Sequence, residues 1–537
     1  MLAGCTPWPA EAADRYRELG LWRSEPLGAV LRTAASRYGS AAAVVHGSRR
    51  ISYAELDHWV DQMAAGFASY GVVAGERVIV QLPNSAEFIA VCFALFRLGA
   101  KPVFALTAHR AQEIGHLCRI TGAVAYVLPG MYRGFDHPTL ARSMRADNPG
   151  LRLLFSLGSA GDDLIDLASV AGEPIGMPEQ DASDVAFFLL SGGTTALPKV
   201  IPRTHDDYVY QTGAAAETIG MSASDVYLAV LPLEFNFTWG CPGVIGTLAS
   251  GGTVVLADDP SPDDCFALIE TERVTVTSVV PSVAQLWLEA AEWTSAKLAS
   301  LRVMQIGGAM LPTALAERIE PTFGCRLQQV FGMAEGLLTL TRPNDRAELV
   351  LASQGRPLSS EDEVRIVGAD GTDVPVGEVG ELLARGPYTL PGYYRAPEHN
   401  ATAFTADGYY RSGDLARLTE EGHVVVEGRI KDVVIRGGDK VSAAEVEEHL
   451  LVSPGILRAA VIGLADDVLG ERICACLVVS GDRPSLPDIR QHLHDRGLAH
   501  YKLPDRVEFI SELPVTPLGK VDKKALALLF VRSAAPR

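Results

Sequence analysis

The chain has 537 residues, 48% of them apolar, and a formal net charge of −18 at pH 7. This length predicts more than one domain, and the acidic balance disfavours a general nucleic-acid or anionic-membrane binder, because either would need a basic face. The sequence has no apolar run of about 18 residues that would predict a membrane span and no signal-peptide pattern, so we expect a cytoplasmic protein. Its cysteines lack the spacing of a zinc site, and we expect them to be reduced thiols.

Helices and strands alternate along the first part of the chain. Ser52 and Glu55 form a capping-box pattern, which predicts that a helix begins there and runs to about Tyr70. The other predicted elements of this part are helices over 27–38 and 85–98 and strands over 77–82, 101–106 and 185–190. Such alternation implies βαβ units and a mostly parallel sheet.

The same alternation returns after residue 200. It consists of helices over 207–219 and 260–272, strands over 226–231 and 276–280, and a turn and strand over 251–256. The two α/β stretches could be pseudo-related subdomains, and the predicted fold class is α/β.

The pattern of apolar and polar residues changes after residue 350. Short alternating strands with glycine turns at 363–367, 380–385 and 423–428 predict a small β-rich unit. The remaining residues are α+β, with predicted helices over 442–451 and 486–496 and predicted strands over 459–463 and 474–479. We therefore predict a large N-terminal domain over 1–430, with two α/β parallel-sheet subdomains and the β-rich unit, and a small mobile α+β C-terminal domain over 431–537.

A loop rich in glycine and hydroxyl groups separates two apolar strands in the middle of the chain. Its members are Ser191, Gly192, Gly193, Thr194, Thr195 and Lys199. Flexible glycines allow backbone N–H groups and hydroxyls to surround phosphate oxygens, and a lysine adds a point charge. The alternative is an ordinary polar hairpin turn. The loop is not a Walker A motif, because the G-x-x-x-x-G-K-[ST] spacing is absent and Pro198 directly precedes the lysine.

Six motifs follow one another along the chain: the glycine loop, Gly307-Gly308-Ala309, Val330-Phe331-Gly332-Met333-Ala334-Glu335, Tyr410-Arg411-Ser412-Gly413-Asp414, Gly428-Arg429-Ile430-Lys431-Asp432 and Pro514-Val515-Thr516-Pro517-Leu518-Gly519-Lys520. Together they resemble the adenylate-forming superfamily of acyl-CoA synthetases, luciferases and peptide-synthetase adenylation domains. The opening Gly-Cys-Thr-Pro-Trp-Pro and the Pro-Arg-Thr-His after the glycine loop resemble the stand-alone aryl-acid AMP ligases, which activate 2,3-dihydroxybenzoate or salicylate for siderophore assembly. The resemblance covers essentially the whole chain.

The resemblance implies an enzyme that uses ATP and Mg²⁺. It would join an aromatic carboxylic acid to AMP and pass the acyl group to the pantetheine thiol of an aryl carrier protein or of CoA, for siderophore or secondary-metabolite biosynthesis. Two alternatives stay open: an aryl-CoA ligase for a bicyclic, hydroxynaphthoate-like acid, and a broader acyl-CoA or fatty acyl-AMP ligase. A non-catalytic binding protein on the same fold is disfavoured by the retention of Lys520, Glu335 and Asp414.

The resemblance also assigns roles in the phosphate chemistry. Residues Ser191 to Thr195 and Lys199 would hold the β- and γ-phosphates, and Glu335 would bind Mg²⁺, a hard cation that prefers oxygen ligands. The ammonium group of Lys520 would bridge the substrate carboxylate and the α-phosphate and stabilise the transition state. Lys431 would be the hinge about which the C-terminal domain rotates between the two half-reactions.

The nucleoside has its own set of candidate residues. By the same resemblance, Phe331 would stack on adenine, and Gly308 and Gly332 would belong to the same nucleotide site. Asp414 would accept hydrogen bonds from both ribose hydroxyls, and Arg429 would also reach the ribose.

The residues expected to contact the acid are Phe235, Asn236, Phe237, Gly240, Cys241, Gly307, Gly308 and Leu338. By resemblance, Asn236 would contact a hydroxyl ortho to the carboxylate, which predicts an ortho-hydroxy aryl acid. Phe235 stands where aryl-acid ligases usually have histidine, a departure that puts a simple siderophore role in doubt.

Two further positions make the expected pocket less polar. Cys241 and Leu338 resemble the salicylate type, and a second ring hydroxyl buried against them without a partner would cost about 1–3 kcal/mol. Gly240, together with Met310 where a lysine is common, could instead open room for a bicyclic acid, and hydroxypicolinate or hydroxyanthranilate types are also compatible. The ring system, the thiol acceptor and the oligomeric state are left open by the sequence.

Overall fold

A computed structural model describes residues 1–158, 161, 163–191, 197–436, 439–466, 469–496, 498, 500–516 and 519–531. Within these residues the chain forms two large, mostly parallel sheets with helices around them, a four-stranded antiparallel sheet and a five-stranded sheet near the end of the chain. The predicted α/β fold class is confirmed.

The strands, numbered in chain order, are β1 (Ala42–His46), β2 (Arg49–Ser52), β3 (Arg77–Val80), β4 (Lys101–Phe104), β5 (Ala125–Pro129), β6 (Met131–Tyr132), β7 (Phe135–Asp136), β8 (Leu153–Leu157), β9 (Ile165–Asp166), β10 (Val185–Leu190), β11 (Val200–Thr204), β12 (Val226–Ala229), β13 (Thr253–Leu256), β14 (Val276–Val279), β15 (Val303–Gly307), β16 (Arg326–Met333), β17 (Gly336–Leu340), β18 (Arg356–Pro357), β19 (Glu363–Val367), β20 (Gly380–Arg385), β21 (Tyr410–Leu418), β22 (Val424–Arg429), β23 (Val433–Arg436), β24 (Asp439–Ser442), β25 (Ile456–Asp466), β26 (Gly470–Val479) and β27 (Arg506–Phe509).

The helices are α1 (Ala10–Glu18), α2 (Leu27–Tyr38), α3 (Tyr53–Ser69), α4 (Ala86–Leu98), α5 (Ala111–Thr121), α6 (His137–Asp147), α7 (His205–Thr218), α8 (Asn236–Gly240), α9 (Gly243–Ala249), α10 (Pro262–Glu272), α11 (Pro281–Ala291), α12 (Thr313–Phe323), α13 (Ala347–Ala352), α14 (Pro397–Ala403), α15 (Ala443–Leu451), α16 (Leu486–Asp495) and α17 (Lys523–Val531). Short 3-10 turns occupy Leu167–Ser169, Ile430–Asp432 and His500–Lys502.

The two large sheets are built mostly from parallel pairs. One has the order β11-β10-β4-β3-β5-β8-β9, and only its β10–β11 pair is antiparallel. The other has the order β18-β17-β16-β15-β14-β12-β13-β1-β2, with antiparallel pairs at its two edges. Parallel strands bring their carboxyl ends to one edge, so the residues that follow β12, β14 and β15 share one edge of this sheet.

One connection was not expected from the sequence. The β1–β2 hairpin precedes every strand of the first sheet in the chain, yet β1 pairs in parallel with β13 of the other sheet. The two α/β stretches are therefore not independent along the chain, and the hairpin ties one sheet to the other. Pairing between distant segments is decided by packing, which local sequence patterns do not report.

A shared apolar core joins the two large sheets. Trp239 is fully buried, and its ring centre lies 5.5 Å from that of Phe88 and 5.6 Å from that of Phe104, both in edge-on arrangements. Phe88 belongs to α4, whose residues are all buried except the half-buried Glu87, so this helix is enclosed by the fold. Aromatic pairs of this kind stabilise a core beyond simple burial.

Most of the predicted elements are confirmed, several to the residue. The predicted capping box is present at the start of α3, with the Ser52 side chain accepting from the Glu55 N–H. α4 is capped by Ser85 and ends at Gly99, whose φ of 74° is left-handed. α2 and β10 have the predicted bounds, whereas β25 extends beyond the predicted 459–463 at both ends.

β6 and β7 form a separate two-stranded sheet, and two larger sheets follow residue 360. The order β19-β20-β21-β22 gives the predicted β-rich unit, and β23 to β27 form the last sheet. The turn Ile430–Asp432 connects β22 to β23, and the domain boundary at 430/431 stays a prediction. None of the helices in the described ranges is long and apolar enough to cross a membrane.

Candidate active site

Glu335 lies in the tight turn between β16 and β17, where it is 8% exposed. The Tyr393 hydroxyl donates to Glu335 Oε1 at 2.7 Å, and the Leu390 N–H donates to the Glu335 carbonyl at 2.7 Å. Burial and the neighbouring carboxylate raise the pKa of Tyr393 far above its usual range, so its hydroxyl remains a donor. One carboxylate oxygen is thereby fixed, while Oε2 receives no hydrogen bond from a described residue.

The shape of this turn depends on Gly336. Its φ of 149° lies in the region that favours glycine, and a Cβ there would lie 2.6 Å from Thr389 Oγ1. Met333 pairs with Gly336 across a register shift, and such a bulge turns a side chain out of the regular ladder. The bulge places Glu335 beside the small antiparallel sheet.

Asp414 and Arg429 face each other across β21 and β22. Arg429 Nε donates to Asp414 Oδ1 at 2.8 Å, and the Asp414 N–H donates to the Ser412 hydroxyl at 3.0 Å. Asp414 is 4% exposed, and burial raises its pKa even though the charges of Arg429 and Lys520 oppose the shift. The two residues predicted for a ribose site are therefore in direct contact.

Lys520 lies on a turn that packs against α11. The Thr516 N–H donates to the Lys520 carbonyl at 2.7 Å, which closes the turn. A Cβ at Gly519 would lie 3.5 Å from Val280 Cγ2 and 3.7 Å from Ser282 Oγ. The Lys520 turn, from the last part of the chain, is thus docked against the carboxyl end of β14 and the start of α11.

The same valine contacts the Gly307-Gly308 turn. Gly308 has a φ of 81°, and a Cβ there would lie 3.3 Å from Val280 Cγ1. A Cβ at Gly307 would lie 2.5 Å from the Val330 carbonyl and 3.3 Å from Phe237 Cζ. Glycines are needed here because two strands and an aromatic ring approach the turn closely.

The ammonium group of Lys520 is surrounded by charges of both signs. Burial and then repulsion from Arg429 lower the pKa of Lys520 to about 8, while Asp414 and Glu335 partly oppose the shift. The charge of Lys431 also lowers it. Lys431 itself is exposed on the turn after β22. A cation that titrates near neutral pH inside a crevice is a candidate functional group.

The glycine loop begins and ends beside this cluster. The Ser191 N–H donates to the Lys199 carbonyl at 3.0 Å, and the Lys199 N–H donates to Ser191 Oγ at 3.0 Å. Lys199 Nζ lies 5.6 Å from the centre of the Tyr393 ring, next to the Glu335 turn. The candidates Gly192, Gly193, Thr194 and Thr195 lie outside the described residues.

Positive charge exceeds negative charge in this cluster. The described members are four cations, Lys199, Arg429, Lys431 and Lys520, and three carboxylates, Glu335, Asp414 and Asp432. An excess of fixed cations around a crevice favours a polyanion such as a nucleotide triphosphate.

A second group of side chains fixes the orientation of Asn236. Arg203, which is fully buried, donates through Nη2 to Gln211 Oε1 at 2.8 Å, so Gln211 Nε2 faces Asn236 Oδ1 at 3.1 Å. The Tyr208 hydroxyl also donates to Asn236 Oδ1, at 2.9 Å. Arginine can only donate hydrogen bonds, so Gln211 Oε1 accepts and Gln211 Nε2 donates to Asn236 Oδ1. Asn236 Nδ2 is therefore the donor end of its amide, and it donates to the Met333 carbonyl at 3.4 Å.

Apolar side chains lie beside this amide. Cys241 and Leu338 are each 1% exposed and belong to one cluster with Tyr388, on which Phe237 packs. The Cys241 thiol donates to the Asn236 carbonyl at 3.2 Å, and burial raises its pKa to about 12. The thiol is therefore neutral and already paired. Four of the residues predicted to contact the acid are thus brought together.

The expectation that Gly240 opens room for a larger acid is wrong. A Cβ at Gly240 would lie 2.6 Å from Tyr208 Cζ and 2.8 Å from Cε1, and it would clash with the hydroxyl. Tyr208 therefore fills the space beside this glycine. Glycine at position 240 therefore allows α7 and α8 to pack closely, and it adds no volume to the pocket.

Three other candidates lie around this core. Phe331 is half-buried and packs against the apolar side of the four-stranded sheet. A Cβ at Gly332 would clash with the Leu338 side chain. Phe235 caps α8 and packs on the apolar cluster beneath the second large sheet, away from the Asn236 hydrogen bonds.

Arg203, Gln211, Tyr208 and Tyr393 were not singled out from the sequence. Arg203, Asp207 and Gln211 recur every four residues, and all three are buried with Arg203 Nε donating to Asp207 Oδ1 at 2.9 Å. Polar residues at helical spacing on a buried face are the signal that was available. His205 accepts the Leu27 N–H at 3.0 Å, and burial lowers its pKa to about 3.

Two family models match the chain. The model described as AMP-binding enzyme matches residues 31–394, and the model described as AMP-binding enzyme C-terminal domain matches residues 445–520. The first spans more than half of the chain, and the matched regions include every described candidate residue except Asp414, Arg429 and Lys431, which lie between them.

Named relatives are similar over nearly the full length. The chain is 49% identical to the 2,3-dihydroxybenzoate-AMP ligase of Bacillus subtilis (strain 168), covering 98% of this chain and 97% of the relative. It is 45% identical to the salicyl-AMP ligase / salicyl-S-ArCP synthetase of Mycobacterium tuberculosis, covering 98% and 94%. The apo structure of Mycobacterium smegmatis MbtA matches with a TM-score of 0.77 and 45% identity, over 98% of this chain and 99% of that chain.

Proposed function

This chain belongs to the AMP-binding enzyme family, and we propose that it joins an ortho-hydroxy aromatic carboxylic acid to AMP and then transfers the acyl group to a pantetheine thiol. It is a ligase of the aryl-acid AMP ligase type. The observation that carries the proposal is the position of Lys520. Its ammonium shares one crevice with Asp414, Arg429 and Glu335, beside the Gly308 turn.

The chemistry requires activation of a poor electrophile. A carboxylate at neutral pH does not react with a thiol, whereas an acyl-adenylate carries a good leaving group. The Lys520 ammonium, which is affected by the charges of Asp414, Glu335 and Arg429, would stabilise the charge that develops as the acid attacks the α-phosphate of ATP. Placing both reactants in one crevice lowers the entropic cost of their encounter.

Mg²⁺ fits the Glu335 turn. Protein sites for Mg²⁺ use one or two carboxylates together with substrate phosphates and water. Glu335 Oε1 is fixed by Tyr393, and Oε2 receives no hydrogen bond from a described residue, so it is available as an oxygen ligand. The ion would neutralise phosphate charge. Lys199, close to the same turn, would add a fixed positive charge for the phosphates.

The nucleoside would lie over the small antiparallel sheet. Asp414 would accept hydrogen bonds from the ribose hydroxyls, with Arg429 holding one of its carboxylate oxygens. Phe331 would supply a ring face for adenine, since it is only half-buried at the end of β16. Gly332 and Gly308 keep the backbone free of side chains where the nucleotide would approach.

The ring of the acid would be read by Asn236. Its Nδ2 donates one N–H to the Met333 carbonyl and has a second N–H that suits an oxygen ortho to the carboxylate. Cys241 and Leu338 offer no free polar partner, because the thiol already donates to a backbone carbonyl. A second ring hydroxyl facing them would lose its partners, at a cost of about 1–3 kcal/mol. We therefore propose a salicylate-like acid in preference to 2,3-dihydroxybenzoate.

The acceptor thiol belongs to CoA or to a carrier protein. Lys520 would occupy the space beside the acid during adenylation, so we propose that the last part of the chain takes a second arrangement when the thiol enters. We propose the boundary 430/431 for this movement, with Lys431 as the hinge, because the residues around it form a short turn between two separate sheets.

ATP–pyrophosphate exchange against a panel of acids tests the proposal. The panel is benzoate, salicylate, 2,3-dihydroxybenzoate, 3-hydroxypicolinate, 3-hydroxyanthranilate, 2-hydroxy-1-naphthoate and a medium-chain fatty acid. We expect exchange with salicylate to exceed that with benzoate, which lacks the ortho oxygen, and that with 2,3-dihydroxybenzoate by roughly 10-fold or more. Exchange with the fatty acid alone would contradict an aryl-acid function, and a preference for the naphthoate would favour the bicyclic alternative.

Substitution of Gly240→Ala should weaken acid binding. The new Cβ displaces Tyr208, and Asn236 Oδ1 then loses one of its two donors. We expect the KM for the acid to rise about 10-fold while the KM for ATP is unchanged, since one hydrogen bond contributes about 1 kcal/mol or more. Steady-state kinetics measures both constants.

The matched control for this variant is Gly213→Ala, also on a helix of the site. Apart from its own helix backbone, no heavy atom of the described residues lies within 4 Å of a Cβ at Gly213, so the KM values of this variant should equal those of the wild type. If Gly240→Ala instead lost only the bicyclic acid and kept salicylate, Gly240 would provide pocket volume after all.

The adenylation step should fail as the pH rises. Because the pKa of Lys520 is lowered to about 8, its side chain is positively charged below that pH and loses this charge as the pH rises through 8. The kcat/KM for pyrophosphate exchange, which reports the free enzyme, should therefore fall with a midpoint near pH 8. Transfer from a pre-made acyl-adenylate should rise over the same range, because thiolate increases with pH. An exchange rate that is level to pH 10, about two units above the midpoint, would contradict the role of Lys520.

A further inference from the structure

Residues 2–26, which we call the arm, run across the surface before α2 and lie outside the 31–394 match. None of them belongs to the site described above. The arm contacts one irregular segment, residues 387–395, which connects β20 to α14. A segment without regular structure of its own takes its position from what it packs against.

The arm holds both ends of the 387–395 segment through hydrogen bonds. Trp22, which is 4% exposed, donates its indole N–H to the Pro387 carbonyl at 3.0 Å. At the other end, the Arg395 N–H donates to the Gly4 carbonyl at 2.9 Å. Trp22 is itself fixed by edge-on contacts with neighbouring aromatic rings of the arm.

Between these bonds the arm closes directly over Gly392. A Cβ at Gly392 would lie 2.9 Å from Thr6 Cβ and would clash with its hydroxyl. The same atom would lie 3.2 Å from Asn400 Nδ2, which donates to the Tyr393 carbonyl. The backbone next to Tyr393 is therefore pressed between the arm and α14.

The opposite side of the 387–395 segment holds the Glu335 turn. The Leu390 N–H and the Tyr393 hydroxyl donate to the carbonyl and the carboxylate of Glu335, each at 2.7 Å. The Leu337 N–H donates to Thr389 Oγ1 at 3.3 Å. Residues on one side of the segment thus contact the arm, and residues on the other side contact the proposed metal ligand.

The arm is anchored independently to the body of the protein. Arg15 Nε donates to Glu361 Oε2 at 2.7 Å. Asp206, at the start of α7, accepts from the Ser24 N–H at 3.1 Å and from Arg17 Nη2 at 3.4 Å. These contacts fix the arm so that it can act as a support for the segment beneath it.

We propose that the arm is a positioning element of the active site, which sets the Glu335 carboxylate by pressing the 387–395 segment against its turn. This inference rests on the proposed function, in which Glu335 binds the Mg²⁺ of the nucleotide. The arm does not touch the reacting atoms, and its effect passes through Tyr393 and Leu390. Supports at one remove from a metal ligand change metal affinity without changing the ligand itself.

The test uses a clash that can be relieved from the arm side. Gly392→Ala places a methyl group against Thr6, and Thr6→Gly removes the two arm atoms that it meets, which are its closest contacts. In ATP–pyrophosphate exchange at saturating acid, we expect Gly392→Ala to raise the half-saturating free Mg²⁺ concentration about tenfold. The double variant Thr6→Gly/Gly392→Ala should return it to the wild-type value, and the KM for the acid should be unchanged in all variants.

Trp22→Phe provides a second route that keeps an aromatic ring in the arm, although a smaller one, and removes the N–H bond to Pro387. It should raise the Mg²⁺ requirement in the same direction, and it decides the matter if Gly392→Ala does not fold. Trp293→Phe, at an indole that is 86% exposed, is the matched control and should leave the requirement unchanged. Thermal unfolding of each variant separates a loss of stability from a change in metal dependence.

The inference is overturned if the Mg²⁺ requirement stays constant in the folded variants. It is also overturned if Thr6→Gly fails to reverse the effect of Gly392→Ala, since the strain would then lie within the 387–395 segment alone. Failure of the proposed function is recognised separately, because the wild-type enzyme would then show no acid-dependent exchange at any Mg²⁺ concentration.

Discussion

The burial of the Lys520 ammonium group is the constraint on which the rest of the site depends. Removing a cation from water is unfavourable, and the nearby Arg429 and Lys431 add repulsion that Asp414 and Glu335 only partly offset, so the pKa of Lys520 falls to about 8. The crevice is therefore preorganised with an excess of positive charge before any substrate arrives. A bound polyphosphate relieves that excess, and the same arrangement favours the developing charge of adenylate formation.

Two sets of hydrogen bonds connect the Glu335 turn to the rest of the fold. Arg203 donates to the Ala334 carbonyl at 3.2 Å and, through Gln211, fixes the amide of Asn236. One fully buried guanidinium thus connects the turn of the proposed metal ligand to the side chain that would read the acid. The 387–395 segment forms the second support, from the opposite side of Glu335. A buried guanidinium is stabilised only when all of its hydrogen bonds are made. The positions of the Glu335 turn and of the Asn236 amide therefore depend on the same side chain, Arg203.

Much of this organisation could be predicted from the sequence, because local patterns determine it. The cap residues Ser52, Ser85 and Gly99 mark helix ends through their own hydrogen bonds and backbone angles. Glu335, Asp414, Arg429 and Lys520 come from four of the six motifs, and the structure places them close to one another. What could not be predicted depends on distant packing: the β1 pairing with β13, the arm over Gly392, and the filling of the space beside Gly240 by Tyr208.

A cross-link between the Lys520 turn and α11 tests the central claim most directly. A Cβ at Gly519 would lie 3.7 Å from Ser282 Oγ, so Ser282→Cys with Gly519→Cys places two thiols within reach of each other. Because Gly519 has a left-handed φ of 72°, a side chain there is strained, and the reduced double variant is the reference for both activities. We predict that the oxidised double variant retains ATP–pyrophosphate exchange with the preferred acid but loses acyl transfer to the thiol acceptor, and that reduction restores transfer. The single variants, treated with the same oxidant, control for pairing with the native thiols. Unimpaired transfer by the cross-linked enzyme, or loss of exchange with it, would contradict the claim that this docked lysine performs adenylation and must leave before the thiol enters.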